Sequence, residues 1–130
     1  MKRVLIVDDT KATRHDAESV IRALGYETIM ASSGKDGLAF LKNNRVDLCI
    51  VVNEMTGMTG LQMIDRLRTR NDNTPVIIIT SVLPEIPRST EERLNVSDYL
   101  NKNLHSDRAR RVIVHTLGDR LPEESAMVYG

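Results

Sequence analysis

This sequence of 130 residues has one cysteine, a formal net charge of zero and no long apolar run, and each of these features excludes some classes of protein. Cys49 is the only cysteine and lies in an apolar segment, so we interpret it as a small buried hydrophobe in a reducing environment. The formal net charge is zero, so no basic footprint for direct nucleic-acid binding is expected. No apolar stretch approaches a membrane span, and Met1 leads into a predicted strand rather than a signal peptide. These features predict a cytoplasmic protein whose single domain can bury a core.

The sequence alternates short apolar runs with segments of helical periodicity. Val4–Val7, Leu48–Val52 and Val76–Ile79 are continuously apolar, as expected for parallel strands that are buried on both faces. Tyr26–Ala31 and Val96–Asn101 are weaker strand candidates. Strands that alternate with helices in this way predict an α/β fold, with a doubly wound, five-stranded parallel sheet and helices on both faces.

Helix boundaries are well marked for three helices. Gly25 predicts the end of the first helix, since glycine readily adopts the left-handed conformation that follows a helix. Ser33 with Asp36, and Thr59 with Gln62, have the spacing of capping boxes and predict the starts of the second and third helices.

The fourth helix has two possible starts. Pro84 and Pro87 fall in its expected first turns, where proline is tolerated only at the beginning. Either the helix begins near Pro84, or residues 83–88 form an irregular loop and a short helix begins near Thr90. Ser89 with Glu92 offers a capping box for the later start.

Polar residues follow the apolar runs at points that a parallel sheet brings to one edge. In chain order, Asp8 and Asp9 follow the run Val4–Val7, Asn53 follows Leu48–Val52, Thr80 follows Val76–Ile79, and Lys102 follows Val96–Asn101. Ligands of open α/β sheets bind at this edge. An acidic pair, an acidic acceptor, a hydroxyl and a lysine would form a metal-assisted phosphoryl-transfer site there. Asn53 stands at the expected acceptor position, and its amide cannot form the mixed anhydride that such a site makes.

These residues resemble the receiver domain of bacterial two-component response regulators. The resemblance extends from Lys2 to Leu117 and is carried by the segments 7–9, 47–55 and 98–102, with Gly60 and residues 80–81. It implies a flavodoxin-like receiver domain over residues 1–118 and a C-terminal tail, or the start of a linker, over 119–130. It also implies a regulatory module rather than an enzyme.

The resemblance implies a magnesium site. Asp8, Asp9 and the main-chain carbonyl of Met55 would bind Mg²⁺, because this hard cation prefers oxygen ligands. Asn53 would occupy the phosphoacceptor position and act as a weak further ligand, so that Mg²⁺ binding is weakened and the chain is phosphorylation-deficient.

The resemblance also implies a switch and its partners. Thr80 and Lys102 would contact phosphoryl oxygens, and Tyr99 would move together with Thr80. A histidine kinase or phosphotransfer protein is the expected upstream partner. A downstream effector, or a fused output domain, would contact the face formed by the fourth helix, last strand and last helix, at residues 88–95, 96–101 and 106–116.

Two further positions depart from the family pattern. Thr56 and Asn103 stand where prolines are usual, and the family peptide bond after Lys102 is typically cis. A cis bond before a residue other than proline costs about 3 kcal/mol, which puts the usual orientation of Lys102 in doubt. Two explanations for Asn53 stay open: an engineered variant of a working receiver, or a natural pseudo-receiver that signals without phosphoryl transfer.

Two other classes of function compete with this interpretation. A metal-dependent phosphatase with Asp8 as its nucleophile would have a second aspartate two residues later, where this chain has Thr10. A flavodoxin-like cofactor binder would use residues 56–60 as a phosphate loop. That segment has few backbone donors and no flanking aromatic residues, and is better interpreted as a turn capped by Thr59.

Overall fold

Five strands alternate with five helices along residues 1–122, the part of the chain that the computed structural model describes. In chain order the elements are β1 (Arg3–Val7), α1 (Lys11–Ala23), β2 (Glu27–Ala31), α2 (Gly34–Asn43), β3 (Leu48–Val52), α3 (Gly60–Thr69), β4 (Val76–Ile79), α4 (Arg88–Leu94), β5 (Asp98–Leu100) and α5 (Asp107–Thr116).

The strands form one parallel sheet in the order β2-β1-β3-β4-β5. The predicted α/β fold, with a doubly wound five-stranded parallel sheet, is therefore confirmed. The three continuously apolar strands β1, β3 and β4 lie at its centre, and β3 is buried over its whole length. The strand order reverses between β1 and β3, so a crevice is expected where their carboxyl ends meet.

Capping residues explain the helix boundaries that the sequence predicted. Gly25 has φ 95° and ends α1. Thr59 and Gln62 form the complete capping box of α3. At the start of α2, the Ser33 hydroxyl accepts a hydrogen bond from the Asp36 main-chain N–H.

The fourth helix begins between the two predicted starts, two residues before the later one. Residues 83–87 are irregular, and α4 is a seven-residue helix that begins at Arg88 directly after Pro87. No side-chain hydrogen bond caps its start, so the predicted capping box of Ser89 with Glu92 is wrong. The reason is that the helix already begins at Arg88, so Ser89 lies within its first turn and is not the N-cap residue.

Residues that follow α5 pack against the domain. The Asp119 carboxylate accepts a hydrogen bond of 2.8 Å from the Tyr26 hydroxyl and one of 3.2 Å from Lys2 Nζ. Leu121 is buried. The predicted boundary after residue 118 stays a prediction, and residues 123–130 of the predicted tail lie outside the described part of the chain. None of the helices in residues 1–122 has the length and apolar character needed to cross a membrane.

Candidate functional site

A cavity of about 170 Å³ opens at the carboxyl ends of the central strands. Its apolar lining comes from Ile6, Val52, Ile79, Ala17 and Leu104, and its polar lining from Asp8, Thr10, Thr13, Asp16, Glu54 and Lys102. A wider groove of about 720 Å³ lies at the opposite edge of the sheet, between residues 41–46 and 70–74. We assign the functional site to the smaller cavity, because it contains the predicted acidic and basic residues.

The acidic pair after β1 diverges. Asp8 is only 3% exposed, and its carboxylate accepts hydrogen bonds from the main-chain N–H of Thr10 at 3.0 Å and from the Thr13 hydroxyl. Asp9 is exposed, and its carboxylate accepts a 2.8 Å hydrogen bond from the main-chain N–H of Thr56. Asp8 therefore faces the cavity, whereas Asp9 is bound to the loop between β3 and α3.

The register of the sheet decides which residue of β3 faces Asp8. Val7 of β1 pairs with Val51 of β3, so the next residues in this register, Asp8 and Val52, are neighbours. Val52 also pairs with Ile79 of β4. Because successive strand residues point to opposite faces, Val52 points into the cavity and the next residue points away. An apolar side chain thus occupies the place beside Asp8.

Asn53 does not lie with the other predicted site residues. Its side-chain Oδ1 accepts a 3.0 Å hydrogen bond from the main-chain N–H of Leu61, and it does not line the cavity. Its main-chain carbonyl accepts hydrogen bonds of 3.0 Å from Gly60 and from Met55. The predicted grouping of Asn53 with Asp8 is therefore wrong, because strand alternation turns the Asn53 side chain toward the start of α3.

Glu54 is a site residue that the sequence analysis missed. Its carboxylate accepts hydrogen bonds from the Thr80 hydroxyl at 2.9 Å, the Ser81 main-chain N–H at 3.0 Å and the Ser81 hydroxyl at 2.8 Å. Burial alone would raise the pKa of Glu54, but the hydrogen bonds from Ser81 and Thr80 outweigh it and lower that pKa. Strand alternation was the signal that could have found this residue, since Glu54 follows Val52 by two positions.

The predicted switch residues lie at different depths. Thr80 is buried, and its hydroxyl lies 2.9 Å from both the Glu54 carboxylate and the Val82 carbonyl. Lys102 lines the cavity, and all peptide bonds within residues 1–122 are trans, including the one before Asn103. Tyr99 is half-buried on β5 and outside the cavity lining. Burial, followed by the nearby negative charge of Glu91, raises the pKa of Tyr99.

The predicted magnesium site does not fit the residues present. Within residues 1–122, no group of three or more His, Cys, Asp or Glu side chains is placed to hold a metal ion. Asp8 and Asp9 point to different partners, and the position level with Asp8 is the apolar Val52. Met55 is buried and does not line the cavity. Mg²⁺ is usually held by one or two carboxylates together with water, and of the predicted ligands only Asp8 lines the cavity.

The chain belongs to the response regulator receiver domain family. The sequence profile of that family matches residues 4–114, which is most of the chain. Receiver domains are regulatory modules, and response regulators in general have kinase or effector partners.

Known proteins of this family match the chain at moderate identity. It is 35% identical over 101 residues to the Regulator of RpoS of Escherichia coli strain K12, covering 78% of this chain and 30% of that protein. It is 27% identical over 131 residues to the response regulator MprA of Mycobacterium sp. strain KMS, covering 98% of this chain and 57% of that protein. Protein PilH of Pseudomonas aeruginosa is 28% identical over 116 residues, which cover 87% of this chain and 95% of PilH. The chain thus spans about a third to about half of the length of the first two relatives.

Solved structures agree with the fold. A CheY-like receiver domain protein of Methanospirillum hungatei has a TM-score of 0.80 at 20% identity, with 98% of each chain covered. The response regulator TrrA of Thermotoga maritima, solved in complex with Mg²⁺ and BeF, has a TM-score of 0.78 at 24% identity, covering 89% of this chain and 99% of that one. At these identities the likeness establishes the fold alone.

Proposed function

We propose that this chain is a signal-transduction receiver module that acts through protein contacts and accepts no phosphoryl group. The observation that carries the proposal is the place of Val52. This side chain lies level with Asp8 and Ile79 on the floor of the cavity, where a metal-assisted transfer needs a carboxylate acceptor. An isopropyl group has no lone pair with which to attack phosphorus.

This proposal differs from the sequence-based hypothesis in the residue responsible. Asn53 was expected to be the disabled acceptor, either by engineering or by natural loss. Since the Asn53 side chain is bound to Leu61 outside the cavity, a change at residue 53 alone does not account for the missing acceptor. The departures at Val52, Thr56 and Asn103 together support a natural pseudo-receiver.

The proposed partners are proteins that recognise the face next to Thr80. Two large apolar side chains of the β4–α4 loop are exposed: Val82 at 75% and Leu83 at 68%. They adjoin the predicted output face of α4, β5 and α5. A downstream effector or a fused output domain is the proposed partner there, and a histidine kinase or phosphotransfer protein would bind without transferring a phosphoryl group. A cytoplasmic location remains part of the proposal.

The alternative phosphatase function lacks support in this site. Asp8 would be its nucleophile, but both Asp8 carboxylate oxygens already accept hydrogen bonds from Thr10 and Thr13. Within residues 1–122, Asp8 is not part of any group of three His, Cys, Asp or Glu side chains placed to hold a metal ion.

Treatment with a small acyl phosphate and Mg²⁺, followed by intact-mass spectrometry, tests the proposal. The unaltered chain and Asn53→Asp are expected to gain no phosphoryl group, whereas the double variant Val52→Asp/Glu54→Gln is expected to gain one. Phosphorylation of the unaltered chain would overturn the proposal. Phosphorylation of Asn53→Asp would return the acceptor position to residue 53. Far-UV circular dichroism of each variant checks that it is folded.

A further inference from the structure

We propose that the Glu54 carboxylate is an internal substitute for a phosphoryl group, which holds Thr80, Ser81 and the start of the β4–α4 loop in one conformation. The inference rests on the proposed function, because it explains how a receiver without an acceptor keeps its switch residues positioned. It concerns this chain's own residues only and needs no bound metal.

The donors around Glu54 are those that suit a small anion. Two hydroxyls and one main-chain N–H, from Thr80 and Ser81, converge on one carboxylate at 2.8 to 3.0 Å. An ionised carboxylate and a phosphoryl group are both anions that only accept hydrogen bonds, and hydrogen bonds to anions are the stronger ones. The resemblance to receivers assigns the Thr80 hydroxyl to a phosphoryl oxygen, and in this chain Glu54 already uses that hydroxyl.

The position of Glu54 in the sheet explains how it reaches those donors. Glu54 follows Val52 by two residues and lines the same cavity, together with Lys102. The neighbouring strand β4 ends at Ile79, so Thr80 and Ser81 leave the sheet next to the end of β3. A glutamate side chain spans the gap between the two strand ends. The Glu54 carboxylate offers only acceptors, which matches the three donors that Thr80 and Ser81 present to it.

Thr80 connects this carboxylate to the exposed loop. The Thr80 oxygen lies 2.9 Å from the Val82 carbonyl and accepts a 3.3 Å hydrogen bond from the Val82 main-chain N–H. Val82 and Leu83 then project into solvent. Glu54 therefore positions the Thr80 hydroxyl, and the Thr80 oxygen in turn holds the Val82 main-chain N–H at the start of the segment that carries the exposed apolar side chains. Loss of its charge is expected to loosen that segment locally.

Amide hydrogen exchange of the loop, measured without any phosphodonor, tests this inference. Glu54→Gln is expected to accelerate exchange of the Ser81 and Val82 amides about tenfold, since a charge-assisted hydrogen bond to Ser81 is lost. Glu85→Gln is the matched control: Glu85 is also an exposed carboxylate and lies within the β4–α4 loop, and its loss is expected to change nothing at these two amides. Unchanged exchange of Ser81 and Val82 in Glu54→Gln would overturn the inference.

A rescue experiment separates a phosphoryl substitute from a residue that merely stabilises the loop. In Val52→Asp/Glu54→Gln, Mg²⁺ with beryllium fluoride, a phosphoryl analogue, is expected to return Ser81 and Val82 to the slow exchange of the unaltered chain. Exchange that stays fast while beryllium fluoride is bound, as shown by fluorine NMR, would overturn the proposal that the Glu54 carboxylate takes the place of a phosphoryl group.

The two proposals fail in different ways. Phosphorylation of the unaltered chain would refute the proposed function without changing the exchange comparison of Glu54→Gln with Glu85→Gln. Equal exchange in those two variants would refute the role of Glu54 and leave the missing acceptor at Val52 untouched.

Discussion

The side chain of Asn53 accepts a hydrogen bond of 3.0 Å from the main-chain N–H of Leu61, in the first turn of α3. The neighbouring donors of that turn are also satisfied: Gly60 donates to the Asn53 carbonyl, and Gln62 donates to the Thr59 hydroxyl. The first N–H groups of a helix have no partner within the helix, so each of these contacts stabilises its start. Asn53 thus joins the end of β3 to the start of α3.

Substitutions of Asn53 are therefore expected to act on α3. Asn53→Ala should lower the free energy of unfolding by about 1 kcal/mol, the usual cost of removing a side-chain cap. Asn53→Asp keeps an acceptor and adds negative charge at a helix N-terminus, so its stability should stay within about 0.5 kcal/mol of the unaltered chain or exceed it. Urea titrations followed by circular dichroism measure both values. A loss in Asn53→Asp as large as that in Asn53→Ala would contradict the capping role.

Most of the fold could be predicted because the signals are local. Continuous apolar runs marked β1, β3 and β4 to within one residue, and Gly25 and Thr59 marked a helix end and a helix start. The weaker runs were predicted too long. The segment 96–101 shortens to Asp98–Leu100, the three residues that pair with β4.

The site was harder to predict because it depends on which way side chains point. Asn53 is the first polar residue after the apolar run Leu48–Val52, and for that reason the sequence placed it beside Asp8. Only the pairing of Val7 with Val51 shows that Val52 takes that place instead. Alternation along β3 shows that Val52 and Glu54 share one face, but which face lies beside Asp8 depends on the pairing of β3 with a distant strand. The contact of Glu54 with Ser81 was missed for the same reason.

Gly60 is predicted to tolerate no side chain. A Cβ built there would lie 2.8 Å from the Val52 carbonyl oxygen and 2.9 Å from the Asn53 Cα, and both are main-chain atoms. At Gly37 a Cβ would lie 2.9 Å from Met63 Cε and 3.1 Å from Val7 Cγ2, which are both side-chain atoms. Gly60→Ala should therefore cost about 2 kcal/mol or more, because the end of β3 must move.

Gly37→Ala is the matched control for this clash. It lies within α2, where alanine favours the helix over glycine by about 1 kcal/mol, and this gain should offset the displacement of Met63. Chemical denaturation compares the two variants under identical conditions. Equal losses of unfolding free energy in the two variants would mean that contact with main-chain atoms does not explain the effect of Gly60→Ala.

Cys49 is predicted to resist chemical modification in the folded protein. Burial, and to a lesser extent the nearby Asp72, raises the pKa of the thiol to about 12, although Arg68 acts in the opposite direction. The thiolate is the reactive form, so the folded protein should not react with a thiol reagent at about pH 8. Reaction in denaturant should be complete. Fast reaction of the native protein, followed by absorbance, would contradict the burial of Cys49 on β3.

The last prediction separates residues 52 and 53 by their electrostatics. Val52→Asp would place a further carboxylate in a cavity that already contains Asp8, Asp16 and Glu54, with Lys102 as the cation in its lining. Burial and like-charge repulsion both oppose ionisation there, so without metal the variant should lose about 2–4 kcal/mol of stability. Mg²⁺ should restore part of that loss, since it would bind the folded form preferentially.

Thermal melts with a chelator and with millimolar Mg²⁺ measure this difference, and Asn53→Asp is the control. Its carboxylate would lie near the Leu61 N–H, outside the cavity, so its melting temperature should respond to Mg²⁺ no more than that of the unaltered chain. A Mg²⁺ response confined to Asn53→Asp would mean that residue 53, rather than 52, shares the cavity with Asp8. In that event the register argument for Val52 would have to be abandoned, because a carboxylate that binds metal with Asp8 must lie on the same face of the sheet.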